Sequence, residues 1–165
     1  MQKLWWLLTA AVALAVFGAS PFDPVDIAKL APVQTMVIRR VGGQVRVDCG
    51  EELAGQGDDL EQALEDLTAG ASDEVFLATA QQIVVVGDDG LWTQLLRQDG
   101  LRPAARLYQT ASAPKAEDIT AYLLRDKTTA TLLELRIARE YGRELTVPVL
   151  AQTEGGYRLV SGKPI

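Results

Sequence analysis

The sequence predicts an α/β or α+β fold. It reads as a small mixed sheet with β-hairpins and three to four covering helices, preceded by an N-terminal transmembrane or signal helix. Three observations predict it. Short β-branched runs alternate along the chain with segments of helical period. Glycine-rich turns separate them, as at Gly42-Gly43 and Gly155-Gly156. An almost unbroken apolar run, Leu4 to Ala19, stands ahead of everything else, behind Lys3 and the amino terminus.

That run lies between the roughly 20 residues of a spanning helix and the about 7–15 of a signal-peptide core. Trp5 and Trp6 sit where an aromatic belt meets headgroups. Val16 and Gly18 fit the small-residue rule of a cleavage site weakly, and Phe17 and Pro21 spoil the neighbouring options. The expectation is an uncleaved anchor over residues 1–20, with a single domain, residues 21–165, on the extracytoplasmic side.

Pro21, Pro24 and Pro32 punctuate the exit from the apolar run, and Asp26 to Ala31 reads as one short helical turn. Val33 to Arg40 is rich in Val, Ile and Thr and predicts a strand. Gly42-Gly43 turns it into Gln44–Asp48, where Val45 and Val47 alternate with polar residues, so the pair predicts a hairpin. Gly55-Gln56-Gly57 reads as a flexible connection to a strong helix at about 58–69. Asp58 is its expected cap, with Glu61 three residues on. Leu60, Ala63, Leu64 and Leu67 form one apolar face, with Leu64 at its middle and expected to be buried.

Glu74 to Ala80 has no clear period. Ile83 to Val86 is wholly apolar and short, as in a strand buried on both faces. Gly87-Asp88-Asp89-Gly90 then turns into a helix carrying Leu91, Trp92, Leu95 and Leu96. Ala104 to Gln109 predicts a strand, and Ala116 to Arg125 a helix. Thr131 to Tyr141, stopped by Gly142, reads as a helix, although Leu132, Leu133, Leu135 and Ile137 also fit a strand. Leu145 to Gln152 and Tyr157 to Ser161 predict a closing hairpin, with Pro148 marking a sheet edge.

Composition narrows function. A net charge of −6 without a basic stripe argues against nucleic acid and against electrostatic adhesion to anionic lipid. No histidine is present, which removes Ser-His-Asp and Cys-His catalysis and the common zinc sites. Cys49 is the only cysteine, so no intrachain disulfide can form. Gly55-Gln56-Gly57-Asp58-Asp59 lacks the Lys-Ser/Thr of a phosphate loop. Asp88-Asp89 lacks the further oxygens of a calcium loop. Glu61 and Glu65, one helical turn apart, read as a solvated face. The expectation is a non-enzymatic chain without cofactors. Arg136, Arg139 and Arg143 form the one local basic cluster. The expected partner-docking residues are Arg136 and Arg139, with the acidic loop at Asp88 and Asp89.

Four stretches, in order over about residues 22–160, resemble the N-terminal domain of the Ger(x)C spore-germination lipoproteins, the C subunits of germinant receptors. They are Asp26-Ile27-Ala28-Lys29-Leu30-Ala31 with the hairpin Gly42-Gly43-Gln44-Val45-Arg46-Val47; Asp59-Leu60-Glu61-Gln62-Ala63-Leu64-Glu65-Asp66-Leu67; Val75-Phe76-Leu77 followed by Gln82-Ile83-Val84-Val85-Val86-Gly87; and Leu95-Leu96-Arg97-Gln98-Asp99, Leu101-Arg102-Pro103 with Lys115-Ala116-Glu117-Asp118-Ile119. Ser20-Pro21-Phe22-Asp23 stands where the family has Gly-Cys-Trp-Asp, so the lipidated cysteine is missing and membrane retention falls to the apolar helix. The family continues through two further domains, and this chain covers the first. The resemblance implies a role in spore germination at the cell or forespore membrane, by contact with integral-membrane receptor subunits or by self-association. The alternative is a secreted domain that binds a small ligand.

Overall fold

The computed structural model describes residues 30–50, 52–87, 89–162 and 164–165. The apolar run at 4–19 lies outside them. No helix among the described residues is long and apolar enough to cross a membrane.

Nine strands and four α-helices are described. In chain order they are β1 (Leu30–Pro32), β2 (Thr35–Val41), β3 (Gln44–Asp48), β4 (Ala54–Gly57), α1 (Leu60–Gly70), β5 (Glu74–Phe76), β6 (Gln82–Val86), α2 (Asp89–Leu96), β7 (Arg106–Thr110), α3 (Ala116–Leu123), α4 (Leu132–Glu140), β8 (Val149–Thr153) and β9 (Gly156–Val160). A single 3-10 turn, Leu77–Thr79, follows β5. The main sheet has seven strands in the order β4-β3-β2-β6-β7-β8-β9. Its centre, β2-β6-β7-β8, is parallel, and antiparallel hairpins flank it on both sides. The fold is therefore mixed α/β, as the sequence predicts.

Period-two alternation splits the core into two layers. Met36 and Ile38 of β2, Ile83 and Val85 of β6 and Leu107 of β7 face α1, α2 and α4. Val37, Val84, Tyr108 and Leu150 face Ile119 and Leu123 of α3. Because β6 is covered on both sides, its apolar run has no polar alternate beyond Gln82. Gln82 is itself buried, and its side-chain oxygen accepts from Thr35 Oγ1 at 2.9 Å.

Several sequence expectations shift. Leu30–Pro32 is not helical: it pairs in parallel with Glu74–Phe76, which gives both stretches extended backbone. Residues 26–29 of the expected turn lie outside the described residues. Gly55-Gln56-Gly57 is not a flexible connection but lies in edge strand β4. Gly55 and Gly57 sit opposite Val47 and Val45, on the face under α1. A Cβ at Gly55 would overlap the Ala63 carbonyl oxygen and the Leu67 amide. At Gly57 it would stand 2.5 Å from Gln62 Cβ. These glycines let helix and strand backbones touch. The α1 cap is Asp59, not Asp58: Asp59 Oδ1 accepts from Gln62 N at 2.9 Å. Pro148 does not mark an edge. It precedes β8, an interior strand, and its carbonyl accepts from Gln109 N at 3.0 Å.

Each outer strand has a backbone amide occupied by a side chain. On β4, Gln56 N donates to Asp66 of α1 at 2.9 Å. On β9, Leu159 N donates to the Tyr122 hydroxyl of α3 at 3.0 Å.

Beneath α3, Tyr108 is fully buried, and its hydroxyl donates to Asp126 at 3.2 Å. Burial, and next the Asp126 charge, push the phenol up. For Asp126 itself, burial pushes upward, but hydrogen bonds from Thr129, Thr128 and Tyr108 outweigh it and hold the carboxyl below its ordinary 3.8. A depressed folded-state value adds stability that is complete above the unfolded value and is lost as pH falls through the folded one. Between pH 7 and pH 3 the wild type should therefore lose more stability than Asp126→Asn. Urea titrations of both across that range check it, and parallel acid limbs would contradict the coupling.

Candidate functional site

The site grows out of α4 and its stop. Thr131 opens α4 with a capping box: Glu134 N donates to Thr131 Oγ1 at 3.3 Å, and Thr131 N donates to Glu134 Oε2 at 2.7 Å. At the other end Gly142 takes φ +60°. Gly142 N then donates to Arg139 O at 3.2 Å, and Arg143 N to Ala138 O at 2.7 Å. This is a Schellman stop, and it folds Arg143 back toward the last turn.

Leu132, Leu135 and Ala138 face the core. Leu133, Ile137 and Tyr141, at intervals of four, face outward and are 48%, 46% and 69% exposed. The helix is thus apolar on two sides, which explains why its sequence also fits a strand. A row of large apolar residues on an outer helix face is the kind of surface that partners cover.

The expected docking residues separate in role. Arg136 is half-buried, and its Nη2 donates to the Gln98 carbonyl just beyond α2, so it ties two helices together. Arg139 is exposed, and its guanidinium has no hydrogen bond or ion pair among the described residues. Asp88 lies outside the described residues, and Asp89 is the first residue of α2.

Arg139 lines a cleft of about 570 Å³ between α2 and α4. Trp92 and Leu96 of α2 and Leu135 of α4 form its apolar walls. Arg143 and Glu144 form its polar rim, and Pro164 and Ile165 close one side. That closing segment is held by backbone pairing: Ile165 N donates to Leu145 O at 3.0 Å. Gly162 permits the approach, since a Cβ there would overlap the Val147 carbonyl oxygen. The Arg143 guanidinium lies 5.6 Å from the Tyr141 ring centroid. Trp92 is only 5% exposed, and its Nε1 is one of three shielded side-chain nitrogens without a partner among the described residues, with Gln82 Nε2 and Arg136 Nε.

A second groove, beside α3, is lined by Arg39, Asp48, Lys115 and Glu117. Its charges largely neutralise one another: Asp48 receives Arg39 Nε at 3.2 Å and Arg46 Nε at 2.8 Å. Cys49 sits next to it in an adjoining hollow. Burial, with a smaller push from Asp48, raises the thiol to about 12, so at neutral pH it holds its proton and is a poor nucleophile. Glu61 and Glu65 are exposed on the outer side of α1. Among the described residues no three Cys, Asp or Glu side chains gather as a metal site.

Sequence reasoning singled out Arg139 and noted Arg143, but it missed the outward row. The spacing of Leu133, Ile137 and Tyr141 held that signal. Set against protein-family models, curated proteins and solved structures, the chain matches none.

Proposed function

We propose that this chain is a membrane-anchored, extracytoplasmic, non-enzymatic module that acts by protein–protein contact in spore germination. In this reading it resembles the N-terminal domain of germinant-receptor C subunits. The apolar run at 4–19 supports the anchor, and the ordered sequence phrases support the resemblance. The observation that carries the contact reading is the outward row Leu133, Ile137 and Tyr141. Apolar area at the centre of such a contact supplies affinity. The partner of this reading is an integral-membrane receptor subunit.

The test is in sporulating cells. Full-length chain should stay with membranes after a carbonate wash. A photo-cross-linker at Glu140 should capture an integral-membrane germinant-receptor subunit. The combined change Leu133→Ser and Ile137→Ser should cut that capture about tenfold while leaving the melting temperature unchanged, because both side chains are exposed. Absence of a receptor subunit, or capture indifferent to the double change, would overturn the reading.

A further inference from the structure

We infer that the cleft between α2 and α4 binds an organic monocarboxylate with an apolar body. The inference stands on the cleft's own chemistry and does not depend on the docking reading. At about 570 Å³ the cleft has the size of a small-molecule pocket. Its walls are apolar where a hydrocarbon or aromatic body would rest, on Trp92, Leu96, Leu135 and Ile165.

Its rim is cationic in a chain whose net charge is −6. Arg139, in the last turn of α4, and Arg143, just past its Schellman stop, both line the cleft. Neither guanidinium is engaged by a carboxylate among the described residues. Guanidinium forks match carboxylate oxygens in geometry as well as charge. Glu144 shares the rim, so two positive charges face one negative. That balance suits a single negative charge and disfavours a phosphate dianion.

The chain offers its own reporter. It contains three tryptophans, Trp5, Trp6 and Trp92. In the full chain carrying Trp5→Phe and Trp6→Phe, emission comes from Trp92 alone. The experiment titrates this protein, in a neutral detergent, with 3-phenylpropionate and with its uncharged counterpart 3-phenylpropionamide. A saturable change in Trp92 emission is expected with the carboxylate. Affinity should fall at least about tenfold for the amide, and again for the carboxylate when Arg139→Gln and Arg143→Gln are added, since charge-assisted hydrogen bonds are lost. Arg97→Gln, exposed and outside the cleft, should bind as the parent does. No saturable change, equal binding of the amide, or undiminished binding by the double arginine variant would each overturn the inference. Both arginines are exposed, so a melting curve matching the parent's shows that loss of binding is not loss of fold.

Discussion

Tyr108→Ala should destabilise the domain by about 3–5 kcal/mol. Tyr108 lies in β7, in the parallel centre of the sheet, and is fully buried among Val37, Val84, Ile119, Leu123 and Leu150. This second core is thin. Among the described residues a single helix, α3, covers it, so few of their side chains are placed to refill the space a lost ring leaves. The substitution also removes one of the donors to Asp126. Tyr108→Phe separates the two contributions. It keeps the ring and deletes only the hydroxyl, while Thr128 and Thr129 still serve the carboxylate. It should cost about 0.5–1.5 kcal/mol. Urea unfolding of the full chain and both variants measures this. Similar losses for Phe and Ala would place the stabilisation in the hydrogen bond rather than in packing.

Leu67→Ala should cost about 2–5 kcal/mol, against less than about 0.5 kcal/mol for Glu65→Ala on the outer side of the same helix. Leu67 is fully buried, and its Cβ is among the atoms closest to the space above Gly55. Truncation there opens a cavity at the seam of α1 and β4. The rigid backbone contact on either side of that seam limits collapse. Leu64, 6% exposed, should fall at the lower end of the same range. Equal, small effects of Leu67→Ala and Glu65→Ala would mean that α1 does not pack on the sheet through this stripe.

The main elements were legible because their signals are local. The α1 stripe at Leu60, Ala63, Leu64 and Leu67 is all buried, as its spacing requires. The run at Ile83 to Val86 became the doubly covered strand that its lack of polar alternates implied. Elements that were misread depend on distant partners. Gly55 and Gly57 look like a flexible link by propensity, and pairing with β3 beneath α1 makes them strand residues. Leu30–Pro32 is extended because Glu74–Phe76 pairs with it. The α1 cap moved one residue, from Asp58 to Asp59, because adjacent aspartates offer the same chemistry and geometry chooses between them.

The site was legible in charge but not in shape. Arg139 and Arg136 look alike on paper. They differ because a carbonyl at Gln98, 38 residues away in sequence, takes the guanidinium of Arg136, whereas Arg139 has no partner among the described residues. The cleft needs α2, α4 and residues 164–165 to converge, and no local pattern announces that.

The bonds at the two rims of the main sheet bear on how copies of this chain meet. An open strand edge is a template on which another strand can add, and repeated addition is the route to fibrils. Here Gln56 N is occupied by Asp66, and Leu159 N by the Tyr122 hydroxyl. Strand addition at either rim must first strip an amide of its partner. Each of those two side chains thus raises the cost of adding a strand at its rim.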